Sequence, residues 1–375
     1  MKKLIFLLIV ISIPPITAGM IVSDLVRYAE SPVGIPDHPV TIDIPRGQSF
    51  NRVAELLHEK GLIAHPVKFK IIARYTGHDK TIKFGEYRLH PTMNPLEILS
   101  RFTAGDVLLH RVTIPEGFTF QEVAARLEKA ELCEGDAFLA QATDPDFVRS
   151  LNIPGDTIEG YLFPDTYHFE KTPSPETIIM TMVSRFRRAF SPEWELRAIE
   201  LGLNVHEIVT LASIIEKETG RAEERTIVSS VFHNRLEQGI PLGSDPTVIY
   251  GIEKFDGNIT RKHLRAKTPY NTYVIAGLPP GPIASPGRAA LEAALYPAKT
   301  DYLFFVAKPD RTHHFSLNYS EHSRAVQEYQ IDAKKKATPA EMGPPRPPAA
   351  DPAPQPSAAA PEPTPVDIAD TPETP

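Results

Sequence analysis

Val40-Thr-Ile-Asp-Ile-Pro-Arg-Gly-Gln-Ser-Phe-Asn-Arg-Val-Ala54 returns, 70 residues later, as His110-Arg-Val-Thr-Ile-Pro-Glu-Gly-Phe-Thr-Phe-Gln-Glu-Val-Ala124. Ile44, Pro45, Gly47, Phe50, Val53, Ala54, Leu57 and Leu62 match Ile114, Pro115, Gly117, Phe120, Val123, Ala124, Leu127 and Leu132. Each copy starts with apolar and polar residues in alternation, the period of a half-buried strand. A Pro-x-Gly turn follows, and then apolar residues at helical spacing. Ser49 and Thr119 stand where a helix N-cap belongs, and Thr119 with Glu122 has the spacing of a capping box. The first copy continues into a second helix, Val67 to Tyr75, and a strand, Gly85-Glu-Tyr-Arg-Leu89. Two copies are too few for a solenoid.

Upstream, Lys2 and Lys3 precede an apolar run from Leu4 to Val22. At 1.5 Å rise per residue it can cross a hydrocarbon core of about 30 Å. The leading lysines favour an N-terminus in the cytoplasm and a body outside it. A cleaved signal peptide is the competing reading, but no small-x-small site closes the segment. Downstream, residues 337–375 hold 13 of the 38 prolines and, with six acids and one Arg, carry −5 of the net −7. Such a tail cannot bury enough apolar surface to offset its ordering entropy and is expected to be disordered. The body is thus close to neutral, which argues against nucleic acid as a partner. The single cysteine, Cys133, excludes an intrachain disulfide and reads as a small core residue on a helix.

Between these ends the expected class is α+β, with a mainly helical part after the βα copies. Glu159-Gly-Tyr-Leu-Phe-Pro-Asp-Thr-Tyr167 is dense in aromatics and turn residues. Helices are expected near 175–190, 192–201, 205–219, 222–238 and 287–296, and a strand at Tyr302-Leu-Phe-Phe-Val306. The helix at 205–219 has a buried stripe of Val205, Ile208, Val209, Ala212 and Ile215. Glu216 and Glu218 follow at its C-terminal end, one on each flank of the stripe. Either could face a cleft, where burial would raise its pKa and keep it protonated as a general acid. Either could equally belong to a solvated charged face, and periodicity does not choose between them. His313 and His314 have no partner at ligand spacing, so no metal site is expected. Ser213 near His206 lacks a nucleophile elbow and is rejected as a serine-hydrolase pair.

The β-α-α-β order of the first copy resembles a LysM-like module, a small fold that commonly binds glycan; a plain spacer is the alternative. Over about residues 1–335 the chain resembles the YceG-like family, the endolytic murein transglycosylases. The resemblance is carried by the anchor, the LysM-like part and Leu211-Ala-Ser-Ile-Ile-Glu-Lys-Glu-Thr219. It continues through Ser230-Val-Phe-His-Asn-Arg-Leu236, Ser244-Asp-Pro-Thr-Val-Ile-Tyr-Gly251, Tyr270-Asn-Thr-Tyr273 and Gly277-Leu-Pro-Pro-Gly281.

It implies a division into an anchor (1–23), a LysM-like module (38–108), a second βα repeat and connector (109–170) and a catalytic part (171–335), with the tail (336–375) outside it. It also implies an enzyme without cofactor or metal. Anchored in the inner membrane, it would act on peptidoglycan strands outside the cytoplasm, beside the synthases. Glu218 is then the catalytic acid, with Glu216, Thr219, Asn234, Asp245, Thr247, Tyr250, Tyr270, Asn271, Thr272 and Tyr273 as substrate-binding or supporting residues. A hydrolase would need a second carboxylate, for which Asp245, Asp165 and Glu159 are the candidates. A non-catalytic peptidoglycan-binding scaffold is a further alternative.

Overall fold

The computed structural model describes residues 19–33 and 38–332. Most of the expected membrane span and the whole proline-rich tail lie outside them. Helix α1 covers 19–30, and among the described residues no single helix is long and apolar enough to cross a membrane.

The first copy folds as β1 (Val40–Ile44), α2 (Phe50–Glu59), α3 (Pro66–Tyr75) and β2 (Gly85–Leu89), followed by α4 (Pro95–Ala104). β1 and β2 pair antiparallel, with Ile42 opposite Tyr87. Their inward residues close with Val53, Leu57, Phe69, Ile98 and Phe102 over one small core. Ser49 caps α2 by accepting from the Arg52 N–H, as its position suggests.

The second copy repeats the plan with one addition. β3 (His110–Ile114) leads to α5 (Phe120–Lys129), α6 (Gly135–Ala142), α7 (Pro145–Ser150) and a return strand β4 (Asp165–Phe169). Thr119 and Glu122 form the expected capping box. β4 pairs antiparallel with β3, placing Val112 opposite Tyr167. Tyr167 thus stands where Tyr87 stands in the first copy, and each donates its hydroxyl to the carbonyl four residues upstream. The sequence reading left this stretch without a strand, because the extra helix α7 shifts β4 to an offset of 80 and hides the repeat. Cys133 departs from expectation too. It is half-buried in the connection between α5 and α6, not on a helix.

The remaining elements are α8 (Pro175–Ala189), α9 (Pro192–Glu200), α10 (Val205–Glu218), α11 (Ala222–Glu237), α12 (Asp245–Tyr250), α13 (Arg261–Arg265), α14 (Arg288–Leu295), β5 (Phe304–Ala307), β6 (His313–Ser316) and α15 (Tyr319–Val326). β5 and β6 form a third antiparallel pair. One buried cluster runs from Val112 to Leu295, so the second βα copy packs into the helical part.

At its centre is α10. Asn204 and Glu207 start it with a capping box, and α14 packs along it with α9, α11 and α12 around. Every residue from Ile208 to Ile215 is buried. The expected one-sided stripe is therefore a helix enclosed on all sides, as a near-continuous apolar run allows.

Candidate active site

α10 leaves the core at its C-terminal end, and there the two glutamates part. Glu216 turns towards α14 and accepts from the Gly287 N–H at 2.9 Å, satisfying a free donor at the start of that helix. Burial raises its pKa, and Glu116 nearby adds to the shift. Glu218 turns the other way, into a cleft of about 500 Å³. The cleft is walled by Arg235, Asp245, Tyr273, Phe304 and His313 among others. Glu218 keeps partial solvent access, yet burial pushes its carboxyl up to about 7. The Asp245 carboxylate pushes in the same direction, and the hydrogen bond from Ser244 works against both.

That bond, from Ser244 Oγ to Glu218 Oε1, is 2.5 Å long. Ser244 is held in turn by a buried hydroxyl network. Its N–H donates to Thr272 Oγ1 at 3.0 Å, Thr272 Oγ1 lies 2.8 Å from Thr247 Oγ1, and Thr247 Oγ1 donates to the Ser244 carbonyl at 2.7 Å. Both threonines are fully buried. They shape the segment that meets the acid and do not themselves line its cleft.

Beside them, the Tyr273 hydroxyl donates to Asp245 Oδ1 at 2.8 Å. Arg235 donates to the carbonyls of Leu303, Pro241 and Leu242 and lies 4.9 Å from the Phe304 ring centroid. It pins the 241–242 loop against the β5 side of the cleft. His313 is paired with Glu224 at 2.7 Å.

Several expected site residues are committed elsewhere. Asn234 spends its amide on the carbonyls of Thr300 and Tyr302. Asn271 is wholly buried, donates to three carbonyls between His263 and Ala266, and accepts from the Tyr273 N–H. Thr219 caps the turn after α10 by accepting from the Arg221 N–H. Asp165 is ion-paired with Arg185 at 2.6 Å, which holds its carboxyl below the usual range. Tyr250, Tyr270 and Glu159 do gather, but in a second cleft of about 680 Å³. Ser213 donates to the Thr210 carbonyl, and His206 bonds to the Tyr161 hydroxyl and the Pro280 carbonyl, so the two are not paired with each other.

Ser244 is the residue that sequence reading missed. Its only signal is its place just before Asp245-Pro246, where a serine reads as a turn residue. Its role yields a test. Removing the hydroxyl in Ser244→Ala deletes a donor that favours the charged carboxylate. The Glu218 pKa should then rise by on the order of one unit. Any activity that needs protonated Glu218 should lose its alkaline limb at correspondingly higher pH, measurable as kcat/KM against pH.

The profile of the YceG-like family matches residues 42–328. A protein of Bacillus subtilis (strain 168) named endolytic murein transglycosylase is 32% identical over 313 residues, covering 79% of this chain and 86% of that protein. A protein of the same name from Streptococcus pneumoniae strain D39 is 30% identical over 322 residues, covering 77% of this chain. The match spans 58% of that longer relative. A crystal structure of a YceG-like protein from Listeria monocytogenes aligns with a TM-score of 0.54 at 33% identity, covering 77% of this chain and 99% of that one. With a family match over most of its length and relatives of this similarity, the chain belongs to the YceG-like family.

Proposed function

We propose that the protein is a membrane-anchored endolytic transglycosylase that cuts peptidoglycan glycan strands, with Glu218 as its acid and base. The observation that carries this reading is the state of Glu218. Its carboxyl sits in a cleft, is raised to about 7 by burial, and receives one hydroxyl donor. Near neutral pH such a group can be protonated when the strand binds and ionised a step later. The names of the Bacillus and Streptococcus relatives supply the substrate class.

The reaction needs only that one group to change roles. Glu218 gives its proton to the oxygen linking N-acetylmuramic acid to N-acetylglucosamine, and the bond from that oxygen to the anomeric carbon breaks. The carboxylate then takes the proton of the muramyl 6-hydroxyl as its oxygen bonds to the anomeric carbon. The products are a free 4-hydroxyl and a 1,6-anhydromuramyl end. The nucleophile belongs to the substrate, so no second carboxylate is required.

Asp245 lines the same cleft, which gives a hydrolytic muramidase some footing. Asp245→Asn separates the two. A hydrolase that uses Asp245 as its base or nucleophile should lose about 10²–10⁴-fold in kcat, as it would for Glu218. A transglycosylase should keep kcat within about tenfold, with its alkaline limb moved to lower pH because one charge beside Glu218 is gone.

The anchor reading rests on the sequence of the apolar run. Met20, Ile21 and Val22, the last residues of that run, are exposed on α1. The βα copies are read as glycan-binding or spacer modules, which would hold the cleft at a set distance from an inner membrane. Peptidoglycan synthases working on the same nascent strands are the expected neighbours.

A further inference from the structure

The second cleft has no part in the chemistry above, yet it is larger than the acid's and shares two elements with it. α12 lends Asp245 to the acid cleft from its first residue and Tyr250 to the second cleft from its last. The turn at 270–273 lends Tyr273 to one and Tyr270 to the other. The two elements are laced at both ends, by the Tyr273–Asp245 hydrogen bond and by the rings of Tyr250 and Tyr270, whose centroids are 4.8 Å apart. Five residues of helix rise by only about 7.5 Å, which is within the length of a disaccharide.

We infer that the cleft bounded by Glu159, Tyr250, Tyr270 and Pro280–Pro282 is a second glycan subsite, taking an uncharged N-acetylhexosamine of the strand away from the bond being cut. The inference rests on the glycan-strand reading of the acid cleft. Both tyrosine rings are only half-buried, leaving faces on which a sugar ring can stack. The rim offers Gln121, Asp156, Thr157 and Glu253, a set of amide, hydroxyl and carboxylate groups suited to sugar hydroxyls and N-acetyl groups. No residue lining the cleft is Lys or Arg, so it is not built for a phosphate or for the carboxylates of a stem peptide.

The floor is preset. Glu159 is 2% exposed and accepts from the N–H groups of Phe120 and Gly160, and the Tyr250 hydroxyl bonds to it. Gly160 has φ +82°, and a Cβ there would come within 2.4 Å of Pro282. The Glu159 turn is therefore pressed against the Pro280–Pro282 wall with no room between them. His206, which also lines the cleft, has both ring nitrogens engaged, by the Tyr161 hydroxyl and by the Pro280 carbonyl. The cleft does not have to form on binding.

The test measures binding of peptide-free glycan strands of graded length to the full-length Glu218→Gln protein, whose turnover is slow enough to read binding. Affinity should rise with length until the second subsite is filled. Adding Tyr270→Ala should remove that last gain, on the order of tenfold, and leave the shortest strands bound as before. Gln121→Trp, which crowds the exposed rim without touching the core, should do the same. It keeps the inference testable if Tyr270→Ala does not fold. An unchanged length dependence in a folded variant overturns the subsite. Turnover by the otherwise unaltered protein is followed in parallel. If strands are never cut, the acid-cleft reading has failed; if they are cut and length dependence persists in the variants, only the subsite has.

Discussion

Glu218→Gln should give a folded, glycan-binding protein that cuts strands about 10²–10⁴-fold more slowly. The amide keeps the shape of the carboxyl and can still accept from Ser244 Oγ, so the hydroxyl network behind it stays in place. What it lacks is a proton that can leave and return. The same substitution should make the protein more stable at alkaline pH, and the sign follows from linkage. The folded-state pKa of Glu218, about 7, lies above the ordinary carboxyl value of 4.5. The folded protein therefore binds a proton that the unfolded chain has lost, and this contribution disappears as pH rises through 7. Gln does not titrate. Above pH 8 the variant should exceed the parent by on the order of 2 kcal/mol, and near pH 4 the two should converge. Rising stability with vanishing activity would mark Glu218 as a group kept for chemistry at a cost to the fold. A scaffold protein would show the stability change and lose no function.

Glu159 should show the larger stability effects. Burial raises its carboxyl to about 8, against hydrogen bonds from Phe120, Gly160 and Tyr250 that favour the charged form. Its contribution should be fully present below about pH 4.5 and fall away as pH rises through 8. Glu159→Ala leaves two N–H groups of the interior without their acceptor, one of them at the first turn of α5, and opens a cavity beneath Tyr250. Together these should cost about 2–4 kcal/mol, or roughly 6–12 °C in Tm. Glu159→Gln keeps one acceptor oxygen and cannot ionise. It should be less stable than the parent at pH 5 and more stable at pH 9, so the two curves cross. Thermal unfolding followed at both pH values reads this directly, and parallel curves would contradict the burial argument.

Much of the fold can be read locally. Ser49 and Thr119 mark helix starts, and the structure places them as caps. Helices expected near 175–190, 192–201, 205–219 and 222–238 lie within a residue of those positions, and proline or a side-chain cap marks the start of the first three. The strand expected at 302–306 lies at Phe304–Ala307. Pairings across long separations could not be read. β4 finds β3 across more than 50 residues, with α7 disturbing the repeat. Glu216 is taken by Gly287, 71 residues away. Since α10 is enclosed on every side, its own periodicity could not show which glutamate meets a cleft.

The same limit applies to the polar residues of the family strings. Asn234 and Asn271 have the chemistry to hold a sugar, but loops that sequence cannot fold take up their amides. Tyr250 and Tyr273, on neighbouring segments, open into different clefts. Ser244 gave no chemical signal of its own, since only the folded turn aims its hydroxyl at Glu218.

The most direct test of the central claim is the chemistry of the new ends. Purified, uncapped glycan strands are digested with the full-length protein and with its Glu218→Gln variant, and the fragments are weighed by mass spectrometry. A transglycosylase gives internal cuts whose new muramyl ends are 18 Da lighter than a hydrolysis product, the mass of one water retained or lost, and the variant gives almost none. Fragments ending in reducing muramic acid, or equal cutting by the variant, would contradict the account.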